Sequence, residues 1–179
     1  MSTPFSLGKV VVATAGTPVQ LGVTSLNGAI TAAAASLAVA SFNGIPPIGT
    51  LFQIDSEQVL LTGLSGGNLT WAIQRGVNGT TAAAHLTGAA VTALMPVSRL
   101  FASTVAGLTG KCYLGCAGLN KATMAGVIKE FWPTGSGGGV DDTFSLPVVE
   151  RERYNLTDFW IDVAVSGEAL TISGTVAPL

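Results

Sequence analysis

Four side chains able to carry charge or move a proton fall between positions 55 and 85: Asp55, Glu57, Arg75 and His85. A carboxylate beside the only histidine of the chain is the raw material of general acid–base catalysis. Such a pair needs a nucleophile or metal at recognisable spacing, and none stands nearby, so these residue types favour a structural part. Asp55 or Glu57 is expected to pair with Arg75 across a hairpin. An exposed pair of this kind contributes only about 0–1 kcal/mol, which leaves register and orientation as its use.

The remaining chemical groupings are thinner. No H-E-x-x-H, G-x-S-x-G, P-loop or G-x-G-x-x-G occurs, and one histidine cannot build a multi-histidine metal site. Asp158 and Asp162 are expected on one face of a strand, ~13 Å apart at Cα, too far for a glycosidase pair. Asp141-Asp142 follows a glycine loop and lacks the further oxygens that calcium requires. Cys112 and Cys116 share a strand face at ~13 Å, too far for a disulfide, and are expected as two buried free thiols. The sequence therefore predicts no enzyme, no cofactor and no metal. The aromatics offered for an interface are Trp132, Tyr154 and Trp160, whereas Trp71 alternates in phase with Leu69 and Ile73 and belongs to a core.

The elements that must position these residues are strands. Residues 54–84 hold two strand-like runs around Gly63-Leu64-Ser65-Gly66-Gly67-Asn68, then a second turn at Asn78-Gly79. Gly76 and Gly79 supply positive φ, Asn78 tolerates the left-handed region, and Thr80 and Thr81 tie the turn. Earlier, residues 9–14 and 17–21 read as strands joined at Ala15-Gly16. The Ala-rich run 29–40 breaks the pattern, and Asn43-Gly44-Ile45-Pro46-Pro47 is turn chemistry. After Pro96, strands are expected at 99–105, 110–116, 126–131 and 144–149. A flexible glycine loop at 135–139 interrupts them, and the charge cluster Glu150-Arg151-Glu152-Arg153 reads as a solvated rim or, alternatively, a salt-bridged subunit contact. Residues 158–165 and 168–176 alternate clearly and predict a C-terminal antiparallel hairpin closed by Ser166-Gly167.

Composition narrows the class. Only 10% of the 179 residues are charged, against ~25% in an average soluble domain, and mean hydropathy is +0.55. The most apolar run, 29–40, falls short of the ~20 residues a membrane helix needs, and no secretory signal opens the chain. A net charge of -2 with scattered Lys and Arg leaves no footprint for nucleic acid. Low charge with high hydropathy instead fits a protein whose surface is covered by neighbouring subunits.

The pattern Asp55-Ser56-Glu57-Gln58, followed by Arg75-Gly76, Asn78-Gly79-Thr80 and His85, resembles a small β-module of tailed-bacteriophage structural proteins. Residues 16–21 (GTPVQL), 109–128 and 156–172 are similar to a small β-domain of the same class of proteins, in which the GTP-containing strand leads directly into the later ones. The resemblance implies an all-β chain in which residues 1–24 and 97–179 form a discontinuous antiparallel β-sandwich or jelly-roll-like barrel. Residues 25–96 would be a β-rich module inserted into one of its loops, where insertion costs little because the ends lie close. It further implies a virion structural protein assembled in the host cytoplasm. The first expectation is a capsid decoration (cement) protein, a homotrimer on the outside of the major capsid protein shell, with no nucleic-acid or membrane partner. The alternative is a tail, baseplate or fibre protein that binds a glycan receptor.

Overall fold

The structure, a computed structural model, describes residues 3–41, 46–133, 143–146 and 154–176. The regular structure of the described residues is almost entirely strand, in chain order β1 (Thr3–Val11), β2 (Val19–Gln20), β3 (Val23–Ser25), β4 (Ser36–Ala38), β5 (Leu51–Ile54), β6 (Glu57–Ser65), β7 (Thr70–Gln74), β8 (Ala90–Ala93), β9 (Pro96–Thr104), β10 (Cys112–Asn120), β11 (Ala125–Phe131), β12 (Thr143–Leu146), β13 (Tyr154–Asn155), β14 (Trp160–Val163) and β15 (Ala169–Val176). Every pairing is antiparallel. The chain divides into two compact units, Met1–Leu21 with Pro96–Leu179, and Gly22–Met95.

The discontinuous unit is a sandwich of two sheets. One runs β1-β15-β9-β12, with β13 also on β9; the other runs β11-β10-β14-β2. In-register rows such as Phe131–Cys112–Val163 put wholly buried side chains on the inner face of the second sheet. The Cys112 thiol on β10 reaches the Ala169 carbonyl on β15 at 3.9 Å, which ties the two sheets together.

Alternation correctly marks strands here, but it does not assign them to sheets. The expected C-terminal hairpin is not formed: β14 pairs with β10 and β2, whereas β15 pairs with β1 and β9. Ser166-Gly167 carries the chain from one sheet to the other, and Gly167 donates its N–H to the Val12 carbonyl. The physical reason lies in the core: Ile161 and Val163 are buried on one sheet and Leu170 and Ile172 on the other. A tight hairpin would set both pairs in a single sheet. Ala169 is fully buried and Val165 is exposed. Residues 11–19 and 104–112 make the same passage between sheets.

The unit Gly22–Met95 is one sheet, β3-β8-β5-β6-β7-β4. It curls until its two edge strands meet. Leu26 bridges Val39, Asn27 donates to the Ala38 carbonyl at 2.8 Å, and Ala40 donates to the Ser25 carbonyl at 2.9 Å. Closure leaves few unpaired edge groups for another chain to use. The interior holds Leu26, Leu37, Val39, Phe52, Ile54, Val59, Leu61, Trp71, Ile73 and Val91. Trp71 is the largest of these; its indole N–H donates to the Asn68 carbonyl at 2.8 Å and its ring centroid lies 4.6 Å from that of Phe52. Leu69, expected beside it, precedes β7 and is 40% exposed. Entry at Gly22 and exit at Met95 share one end of this sheet, where Ala93 donates to the Gly22 carbonyl at 2.7 Å. The opposite end is built from the Asp55-Ser56 turn and from residues 26–35 and 75–89.

Candidate functional site

Asp55, Glu57, Arg75 and His85 meet at that opposite end. They are also all of the ionisable side chains that residues 22–95 contain. Asp55 sits at φ 50 in the two-residue turn between Ile54 and Glu57, a left-handed position that Asp tolerates. Glu57 then opens β6 in phase with Val59 and Leu61, so its carboxylate points where an aliphatic side chain would otherwise go. It is completely buried.

A buried carboxylate costs several kcal/mol unless charge and hydrogen bonds compensate it. Arg75, just past β7, supplies the charge in a side-on fork, with Nε to Oε1 at 2.7 Å and Nη2 to Oε2 at 2.7 Å. The Gly76 and Ala83 backbone N–H groups donate to the same carboxylate at 3.0 Å each, and His85 Nε2 lies 2.9 Å from Oε2. Burial alone raises the Glu57 carboxyl. The Arg75 guanidinium, the Ala83 N–H, the His85 ring and the Gly76 N–H outweigh it and hold the pKa at about 2, down from 4.5.

The other atoms of the cluster fasten loops. Arg75 Nη1 donates to the carbonyls of Thr31 at 2.8 Å and Ala34 at 3.4 Å, and Nη2 to that of Ala83 at 2.5 Å. His85 is buried; its Nδ1 lies 2.7 Å from Asp55 Oδ2, and its backbone exchanges two 2.9 Å hydrogen bonds with Ile30. The ring thus bridges the two carboxylates, Nδ1 to Asp55 and Nε2 to Glu57. The Ala-rich run, the Asp55 turn and residues 75–85 are thereby clasped together.

A second layer holds the loop itself. The Thr80 hydroxyl accepts from the Gln58 N–H at 3.0 Å and donates to the Val77 carbonyl at 2.8 Å, while Asn78 Nδ2 donates to Gln58 Oε1 at 2.9 Å. Gly76 takes φ 60, and a Cβ there would approach the Thr80 carbonyl to 3.0 Å, so both conformation and space call for glycine. Asn78 and Gly79 also adopt positive φ, at 53 and 79, within a short 3-10 turn. The carboxylate–Arg75 pair expected across the hairpin is formed by Glu57 and is buried, while Asp55 partners His85. A saturated, solvent-excluded Glu57 has no lone pair left for a substrate proton. The cluster's chemistry is that of a fastener.

The aromatic candidates are not gathered into one surface. Trp132 follows β11, is 58% exposed, and carries Lys111 Nζ 3.7 Å from its ring centroid; Lys111 also pairs with Glu130 at 2.5 Å. Trp160 is half-buried on β14 beside Gly115 and Gln20. Tyr154 lies on β13 in the other sheet, 5.9 Å from the ring of Phe159.

Two further expectations are corrected. Cys112 is buried, and burial, with Glu168 and Asp162 adding to it, pushes its thiol up to about 12; Cys116 is exposed. The reason is the register shift after Gly115, beyond which β10 has left β14 and its alternation no longer tracks the core. Asp158 is not on a strand with Asp162: it ends the 3-10 turn Leu156–Asp158, accepting the Asn155 N–H at 2.7 Å. Asp162 is buried on β14, where Oδ1 accepts from Gly16 at 2.8 Å and Val163 at 2.7 Å. Asp141-Asp142, the 135–139 loop and the 150–153 charge cluster lie outside the described residues.

Among the described residues no helix is long and apolar enough to cross a membrane, and no three His, Cys, Asp or Glu residues converge on a metal position. In comparisons with known proteins, no family model matches the chain and no curated protein does.

Proposed function

We propose that this protein is a structural component of a bacteriophage particle, most specifically a decoration protein on the outside of the capsid shell. One observation carries the reading: residues 22–95 place their whole charge complement in a single clasp and leave Asp55, 63% exposed and bonded to His85, as the unit's exposed charge. A surface so empty of charge suits burial against neighbouring protein, because interface cores are depleted of charged residues. The resemblance of the clasp residues themselves to a module of phage structural proteins supplies the particle.

In this reading the protein acts mechanically. Many copies bridge neighbouring capsomers of the major capsid protein, each contact of a standard size near ~1,600 Å², and symmetry multiplies the effect. A homotrimer at threefold positions is the arrangement we favour. The adhesion alternative, in a tail, baseplate or fibre, has Trp132 in its favour as an exposed aromatic beside a Lys–Glu pair. Counting copies of this chain per purified particle, by quantitative mass spectrometry against the major capsid protein, separates the two. A ratio set by the shell lattice supports decoration; a few to a few dozen copies refutes it and moves the protein to the tail.

A further inference from the structure

We propose that Asn78-Gly79 is a guarded deamidation site, a one-way chemical modification that adds charge to the unit least furnished with it. Asn78 is exposed and is followed by glycine, the residue that least hinders attack by the next backbone nitrogen. In the reaction the Gly79 nitrogen attacks Asn78 Cγ. A C–N bond forms, the Cγ–Nδ2 bond breaks, and ammonia leaves with the proton from the Gly79 amide. Water then opens the resulting succinimide at either carbonyl, giving aspartate or isoaspartate. Solvent is the only co-reactant, and nothing is oxidised or reduced.

The folded clasp opposes ring closure at two points. Asn78 is held at φ 53 and ψ 34, a left-handed position from which the backbone must rotate before the Gly79 nitrogen can meet Cγ. Its leaving group is also tethered, since Nδ2 donates to Gln58 Oε1 at 2.9 Å, and Gln58 is itself tied through its N–H to Thr80. Attack therefore waits on local opening of residues 76–80. The product does not keep the same latch: with a carboxylate oxygen in place of Nδ2, two acceptors meet until the Gln58 amide turns over to offer Nε2. Aspartate at 78 also sets a new negative charge on the loop that the Glu57 cluster organises.

The test follows Asn78 by peptide mapping and mass spectrometry while the full chain ages at mildly alkaline pH, folded in buffer or unfolded in guanidinium. Conversion at Asn78 about tenfold slower in the folded chain, as expected when reaction requires a minor open state, supports the proposal. Gln58→Ala, with its fold checked by circular dichroism, should narrow that gap. Gly79→Ala should slow conversion in guanidinium. Equal rates in the folded and unfolded chains, or no conversion even when unfolded, would overturn it. An independent measurement uses Asn78→Asp: faster amide exchange across residues 76–85 supports a latch weakened by the modification, and unchanged exchange refutes it.

Discussion

Each unit of this protein buries a carboxylate, and the two are satisfied in different ways. Glu57 takes an arginine fork, an imidazole and two backbone N–H groups, all from within 28 residues of sequence. Asp162 takes two backbone N–H groups, one of them from Gly16 at the far end of the chain, and its nearest cation, Lys121 Nζ, stands 3.6 Å away. The first is a self-contained charge cluster that fastens loops of one unit. The second is a pin between distant segments, in which backbone groups carry the carboxylate and the ion pair is secondary. Burial of an acid thus has two solutions in one chain, and the amount of charge each retains sets how sharply it responds to perturbation.

The largest break in that comparison is Glu57→Ala. It strands Arg75 and His85 without their shared partner and is expected to cost about 3–5 kcal/mol. Hydrogen exchange should locate the loss in residues 22–95 and leave the sandwich protected. Acid comes next. The folded pKa of Glu57 lies below its unfolded value, so its contribution is complete above pH 4.5 and is lost as pH falls towards about 2. Full protonation removes of order 3 kcal/mol. An acid titration followed by hydrogen exchange should show residues 26–35 and 75–89 opening first, and simultaneous opening of both units would contradict it. Asp162→Ala should cost less, about 1–3 kcal/mol, by leaving the buried Val163 N–H unpaired and freeing the Gly16 segment, with the loss confined to the sandwich. Smallest is Asp55→Asn, about 0–1 kcal/mol because the carboxylate is largely solvated, measurable as a slight fall in melting temperature.

The legibility of the sequence follows the range of the interactions. Strand identity was readable wherever one face is buried, as in Trp71 and Ile73, because the period of two is local. Sheet membership was not, since Ser166-Gly167 has the chemistry of a hairpin turn and only the packing of Ile161 and Leu170 in separate sheets makes it a crossing. The short strand β4 hides in the Ala-rich run because Leu37 gains its place from Trp71, its partner 34 residues on. For the clasp, the types and spacing of Asp55, Glu57 and Arg75 were on view, and a cross-strand pair was their natural reading. Its burial and the share of His85 were not, because left-handed turns at Gly76, Asn78 and Gly79 bring residues 83–85 back over Glu57. The clearest available signal was scarcity: in a stretch with four ionisable residues, all four are in one place.

The adjacent ends of the 22–95 unit carry a mechanical consequence. Val23 pairs with Thr92, and Gly22 and Ala93 share a hydrogen bond, so tension entering through these ends pulls β3 and β8 apart from one side. The load falls on one rung at a time, and strands peeled in this way yield at lower force than strands slid past each other. The clasp, at the far end of the same sheet, would be the last part to feel the pull.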